Sequence, residues 1–154
     1  MALKLYIDAF PYGAEIPETY TCDGKDLSPE LRWEGGPENA KSYALIMDDP
    51  DAPGGIFTHW IVYNIPPTER FLKKFMPVSK ELGNGAKQEK NDFGNTGYGG
   101  PCPPPGEKHR YYFRLYALDT ELSQRELLTR NSLNDELEKH TIDQAEYMGR
   151  YQRK

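Results

Sequence analysis

Two loops rich in proline and glycine constrain the fold of this sequence more than any other feature. They are residues 48–53 (DDPDAP) and 99–106 (GGPCPPPG), and each is followed within a few residues by a histidine, His59 or His109, that opens an apolar run. Proline fixes φ and glycine permits positive φ, so such loops hold a fixed shape before any ligand arrives. Rigid loops that deliver polar groups to the ends of strands predict a binding site.

The size and composition of the chain predict one domain, over residues 1–154, that is mainly β. A chain of 154 residues is long enough to bury a single core. Its 13 prolines, 14 glycines and 11 tyrosines indicate many turns between aromatic-rich strands rather than a helical bundle.

Three apolar runs predict the central strands. Residues 43–47 form a continuous apolar run of the length expected for a buried strand, and residues 59–65 form the run after the first loop. Residues 109–118 follow the second loop and form the longest strand that we predict. Its period of two places His109 and Tyr111 on one face and the arginines of the run on the other.

The two ends of the chain carry weaker signals. Residues 3–7 alternate and predict a first strand at a sheet edge. Ser123, with Glu126 three residues later, predicts a capping box, and Ser132 is a candidate cap for a further helix. Residues 145–151 alternate again and predict a closing strand.

The charge and hydropathy patterns exclude several classes of function. The sum of 19 Lys and Arg against 24 Asp and Glu is −5, and no basic cluster is long enough to follow a phosphate backbone, so we expect no nucleic-acid partner. No stretch approaches the roughly 20 apolar residues of a membrane span. The N-terminus lacks signal-peptide features, which predicts a cytoplasmic protein, and the tyrosine-rich surface makes a homodimer a reasonable expectation.

The two cysteines leave an alternative open. Neither Cys22 nor Cys102 belongs to a CxxC motif, so a zinc ribbon or a thioredoxin-type site is not expected. Both lie in loops beside the predicted binding site. A disulfide between them and a pair of free thiols are both consistent with the sequence.

Polar side chains collect at the junctions between loops and strands. Asp49 and Asp51 follow one strand, His59 opens the next, and His109 and Tyr111 begin the longest. Imidazolium groups, a tyrosine hydroxyl and the N–H groups of a Gly/Pro loop are donors that suit a small oxyanion such as phosphate. A nearby aspartate would orient an imidazole and raise its pKa.

Other interpretations of these residues remain. The aspartates are also common turn residues, and strand-end histidines often hydrogen-bond to backbone. Two histidines and one carboxylate could hold iron or zinc, although no HxD or HExxH spacing is present. No serine lies in a GxSxG-like turn, and Cys102 lies between two prolines. We also expect the Ala52–Pro53 bond to be cis, because the cis penalty is small at proline.

Three segments together resemble the phosphatidylethanolamine-binding protein (PEBP) family, in its bacterial and archaeal branch described as Raf-kinase-inhibitor-like. They are residues 28–33 (SPELRW), residues 48–66, which contain DDPDAP and THWIVYNIP, and residues 91–111, which contain NDFG, GYGGPCPP and HRY. The resemblance covers nearly the whole chain. It implies a central antiparallel sheet, a smaller sheet packed on one side, and a few peripheral C-terminal helices.

The resemblance also implies an anion pocket for phosphate-bearing headgroups, phosphopeptides or similar ligands. The implied pocket residues are Asp49, His59, Gly100, Pro101, His109 and Tyr111, and Asp51 joins them from the residue pattern. No catalytic activity is shared across the family, so we predict a protein that is not an enzyme and needs no cofactor or metal. The alternative is an inhibitor of serine proteases, or of kinases, acting through an exposed loop such as residues 65–67 or 103–105.

Overall fold

Two antiparallel sheets make up most of the fold in the computed structural model, which describes residues 1–122 and 129–154. The predicted capping box at Ser123 lies outside these residues. The strands are β1 (Lys4–Tyr6), β2 (Leu31–Glu34), β3 (Ser42–Asp49), β4 (Phe57–Ile65), β5 (Phe71–Leu72), β6 (Lys87–Gln88), β7 (Lys108–Leu118) and β8 (Thr141–Gln152), with one α-helix, α1 (Arg130–His140), and one 3₁₀ turn (Glu18–Tyr20).

The smaller sheet has the strand order β1-β2-β5, and the larger sheet has the order β6-β4-β3-β7-β8. This arrangement confirms the mainly β fold and the edge position of the first strand. It corrects one expectation, because the closing strand β8, with 12 residues, is longer than β7, with 11. The C-terminal part of the described residues contains one α-helix.

The core lies between the two sheets and is built from the inward faces of their strands. Trp60, Tyr43 and Phe113 are fully buried there, together with Leu31 from the smaller sheet. Burial of each such side chain stabilises the fold by roughly 1.5–3 kcal/mol. Along β7 buried and more exposed residues alternate, as the period of two predicts.

Helix α1 covers part of the outer face of the larger sheet. Leu133 and Leu137, one helical turn apart, pack with Ile46 and Ile61 in a second, smaller core. The N-cap is Thr129 rather than Ser132, because the Thr129 hydroxyl accepts from the Ser132 amide while the Ser132 hydroxyl accepts from the Thr129 amide. The helix therefore begins earlier than predicted. No helix of the described residues is long and apolar enough to cross a membrane.

A buried ion pair fastens this helix to the sheet. Arg130 donates to Asp48 over 3.0 Å and to the hydroxyl of Thr58 over 2.9 Å. The Asp48 side chain is only 3% exposed, and its next cation, Arg114, is 3.8 Å away. Asp48 therefore depends mainly on Arg130 for charge compensation.

We expect Arg130→Met to lower the free energy of unfolding by about 2–3 kcal/mol, because it leaves a buried carboxylate with one distant partner. Chemical denaturation measures the change. The matched control is Arg150→Met, at an exposed position of β8, for which we expect a change within about 0.5 kcal/mol. Equal losses in the two variants would contradict the role of the pair.

Candidate functional site

A cavity of about 240 Å³ opens at one end of the larger sheet. Because the strands are antiparallel, the end of β3 lies beside the beginnings of β4 and β7. Four of the seven predicted site residues line this cavity: Asp49, His59, His109 and Tyr111. The rest of its wall is mainly apolar and includes Phe57, Phe93, Pro53, Pro103 and Pro104.

His109 is held between two carboxylates. Its Nδ1 lies 2.6 Å from Oδ2 of Asp49, and its Nε2 lies 3.2 Å from Oε1 of Glu107. Burial opposes the charged ring, but the hydrogen bonds to Asp49 and Glu107 outweigh it and raise the pKa of His109. Since carboxylates only accept, both ring nitrogens carry protons, and His109 is an imidazolium with Asp49 as its buried partner.

His59 has the opposite electrostatic character. Its Nδ1 lies 2.6 Å from the carbonyl oxygen of Gly99, which can only accept, so Nδ1 is the protonated nitrogen. Burial lowers the pKa of His59, although the Gly99 hydrogen bond and the charge of Asp49 oppose this shift. The neutral ring therefore offers Nε2 as an acceptor. This differs from the expected imidazolium, because the ring is removed from water without a carboxylate partner.

Tyr111 contributes a buried hydroxyl that has no hydrogen-bond partner among the described residues. Burial, followed by the negative charge and the nearby carboxylate of Asp49, raises the pKa of Tyr111 above its ordinary value. The hydroxyl is therefore protonated, and no acceptor among the described residues lies in hydrogen-bonding geometry with it. An unpaired buried donor is rare in native proteins, and a ligand is one way to satisfy it.

Aromatic rings form one wall of the cavity. The ring centroids of Phe57 and Phe93 are 4.7 Å apart, and His59 lies 4.9 Å from Phe57 and 5.2 Å from Tyr111. Sequence reasoning missed both phenylalanines and Glu107. Phe93 lies within the NDFG segment, whose flanking polar residues were the only signal for it.

The other three predicted residues do not line the cavity. Asp51 binds Arg110 instead, with Oδ1 2.8 Å from Nη2, and this hydrogen bond lowers the pKa of Asp51 to about 2. The Gly100 amide donates to Asp26 over 2.7 Å, and Pro101 has no N–H. The loop amides expected to bind an oxyanion are thus engaged or absent.

The glycine at position 100 has a packing reason. A Cβ there would lie 2.3 Å from the carbonyl oxygen of Tyr20 and 2.5 Å from Asp26. The Pro101 carbonyl accepts from the Cys22 amide over 3.1 Å, so this loop is fixed against the 3₁₀ turn region.

Cys22 and Cys102 form a disulfide, which settles the alternative that the sequence left open. The bond links positions 80 residues apart, and Cys102 lines the cavity. The Ala52–Pro53 bond is trans, contrary to the expectation. The turn there closes through a hydrogen bond from Gly55 to Ala52 over 3.1 Å, and the trans bond is the ordinary isomer at proline.

The donor set does not suit the metal interpretation. Both nitrogens of His109 carry protons and face carboxylates, so this ring has no lone pair for a metal. Within residues 1–122 and 129–154, no group of three His, Cys, Asp or Glu side chains is arranged to hold a metal ion.

Comparisons with known proteins identify the family. The family model described as phosphatidylethanolamine-binding protein matches residues 6–152. A UPF0098 protein of Methanothermobacter thermautotrophicus is 46% identical over 98% of this chain and 99% of its own length. A UPF0098 protein of Aquifex aeolicus is 47% identical over 98% of this chain and 89% of its own length.

Two solved structures have the same fold. A PEBP homolog from Chlamydia trachomatis, CT736, superposes with a TM-score of 0.88, at 41% identity over 99% of each chain. YbcL of E. coli, described as a new member of the mammalian PEBP family, superposes with a TM-score of 0.91, at 34% identity over 100% of each chain. The chain therefore belongs to the phosphatidylethanolamine-binding protein family.

Proposed function

We propose that this protein binds a small phosphate-bearing anion, free or as the headgroup of a larger molecule, in the cavity beside Tyr111 and His109. The observation that carries the proposal is the buried Tyr111 hydroxyl, which lines the cavity and has no partner among the described residues. A hydrogen bond from this group to a charged oxygen recovers the free energy that its burial costs.

His109 supplies the positive charge. Its bond to Asp49 is short and buried, whereas its Nε2 bond to Glu107 is longer, at 3.2 Å, and the Glu107 side chain is 52% exposed. An incoming anion replaces the Glu107 carboxylate on Nε2, because that carboxylate can be rehydrated at little cost. Asp49 holds the ring in place during the exchange.

The groups that line the cavity support binding without turnover. Its polar lining consists of a carboxylate, two imidazoles and a phenol, and Cys102 is held in the disulfide. None of these lining residues is a serine, a threonine or a free thiol placed beside a histidine base, which nucleophilic catalysis requires. We therefore keep the expectation of a non-enzymatic binding protein.

Protease inhibition through a loop has less support in the contacts. Ile65 is fully buried and Pro103 is buried in the cavity wall, so each candidate segment is accessible over only part of its length. Kinase regulation, a homodimer and a cytoplasmic location remain predictions from the sequence.

The test of the proposal is phosphate binding by Tyr111→Phe. Because this change removes only the hydroxyl, we expect the affinity for inorganic phosphate, measured by calorimetry, to fall by about tenfold. The matched control is Tyr112→Phe, the next residue of β7, whose side chain lies on the opposite face and accepts from Arg110. Unchanged affinity in Tyr111→Phe, or an equal loss in the control, would place the site elsewhere.

A further inference from the structure

The cavity combines one free donor with one free acceptor. Tyr111 offers its O–H, and His59 offers the lone pair of Nε2, since its Nδ1 proton is used by the Gly99 carbonyl. His59 is 3% exposed and lines the cavity, and its one ring hydrogen bond among the described residues is the Nδ1 bond to Gly99. An anion site made only of donors would have no such group.

Burial among aromatic rings favours the neutral form of His59, in which Nε2 keeps its lone pair. The rings of Phe57, Phe93 and Tyr111 pack against it, with centroid distances between 4.9 and 5.4 Å. Two negative groups act on it from β3: Asp49, which is engaged by His109, and Asp48, which is bound by Arg130. The titratable and charged groups that act on the ring are Asp49, Tyr111 and, beyond Asp49, His109 with Glu107 on the cavity side, and Asp48 through its charge from the other face of β3.

A lone pair in an anion pocket distinguishes between oxyanions. It repels an oxygen that carries only negative charge, but it accepts a hydrogen bond from an oxygen that keeps its proton. Inorganic phosphate keeps one such proton on its dianion through the neutral and mildly basic range, and phosphomonoesters hold one below a second pKa of about 6. Sulfate and sulfate esters carry no proton under these conditions.

We propose that the cavity selects a singly protonated phosphate group, whose P–OH donates to His59 Nε2 while an unprotonated oxygen accepts from Tyr111. This inference rests on the proposed function and adds the protonation state of its ligand. In the complex this proton lies on the ligand oxygen, and Nε2 accepts it. A phosphomonoester above its second pKa takes the proton from solvent when it binds, whereas inorganic phosphate already carries it.

The first experiment uses the native chain and two inorganic probes, phosphate and sulfate, at the same pH and ionic strength. By calorimetry near neutral pH we expect phosphate to bind at least about tenfold more tightly, because sulfate leaves the buried acceptor unpaired. A third probe, the phosphomonoester glycerol 3-phosphate, titrated above its second pKa in buffers with different heats of ionisation, should give an uptake of about one proton per bound ester, whereas inorganic phosphate at the same pH should give none.

The second experiment uses His59→Gln, whose amide can donate as well as accept. We expect this variant to narrow the preference for phosphate over sulfate to less than about threefold. The control is His140→Gln, at the end of α1, whose ring pairs with Asp119 and lies outside the cavity lining. That variant should keep the native preference.

The outcomes separate the two proposals. Phosphate and sulfate binding equally tightly to the native chain, or the phosphomonoester binding above its second pKa without proton uptake, would overturn the selectivity and leave the proposed function standing. No binding of either anion would overturn both. If His59→Gln does not fold, the proton uptake of the native chain decides the question.

Discussion

Asp49→Ala should lower the free energy of unfolding by about 3–5 kcal/mol and weaken phosphate binding by at least about tenfold. The Asp49 side chain is 4% exposed, accepts from Nδ1 of His109 over 2.6 Å, and accepts from the Asp51 amide over 2.8 Å. Its removal leaves Nδ1 of the buried His109 ring and the Asp51 backbone amide without partners. It also removes the group that keeps His109 charged. Chemical denaturation and calorimetry measure the two losses.

The pH dependence of the stability loss in Asp49→Ala tests whether the loss comes from the Asp49–His109 pair. The pKa of His109 is raised in the folded state, so its contribution to stability is fully present below the unfolded pKa of about 6.5 and is lost as pH rises through the folded pKa. The difference in the free energy of unfolding between the native chain and Asp49→Ala should therefore be larger near pH 6 than near pH 9. A difference that does not change with pH would contradict this assignment.

Asp51→Ala is the control for that variant. Asp51 lies two residues away, but its side chain is 29% exposed and its partner Arg110 is 45% exposed. Such pairs contribute little, so we expect a loss of about 1 kcal/mol or less. The phosphate affinity should stay near the native value because Asp51 does not line the cavity.

The strands that form the site follow from local sequence patterns. The apolar run before Asp49 and the alternation after His109 each fixed a strand and the face of its side chains, and both are as predicted. The two-residue strands β5 and β6 were missed because two residues carry no periodicity. They form only through pairing with β2 and β4.

The roles of Asp51 and Gly100 could not be predicted, because they depend on partners far along the chain. Arg110 is 59 residues from Asp51, and Asp26 is 74 residues from Gly100. Residue type and loop rigidity show that a polar group is present, but they do not show which neighbour already uses its hydrogen bonds. The acceptor character of His59 was missed for the same reason, since it depends on the Gly99 carbonyl.

Asp48 and Asp49, at the end of β3, form ion pairs on opposite faces of the larger sheet. Successive side chains of a strand point to opposite faces. Asp48 therefore binds Arg130 and fastens helix α1, while Asp49 binds His109 in the cavity. The sequence predicted a role for the acidic cluster as a whole. Only the placement of α1 separates the aspartate that fastens the helix from the aspartate that lines the cavity.

Replacing both cysteines, by Cys22→Ser with Cys102→Ser, should lower the free energy of unfolding by about 2–4 kcal/mol. The disulfide closes a loop between positions 80 residues apart, and its loss releases that constraint on the unfolded chain. Reduction of the native protein should give the same loss, measured by chemical denaturation with and without reductant. The double variant is the control, because reductant should not change its stability.

The double cysteine variant also tests whether the disulfide or the hydrogen bonds of its loop set the shape of the cavity. Cys102 lies in the cavity wall, but two further contacts hold its loop: Gly100 donates to Asp26, and the Pro101 carbonyl accepts from the amide at position 22. Both use atoms that remain when cysteine becomes serine. We therefore expect phosphate affinity to fall by less than about threefold while stability falls clearly. A loss of binding as large as that of Asp49→Ala would show that the disulfide, rather than these hydrogen bonds, sets the shape of the site.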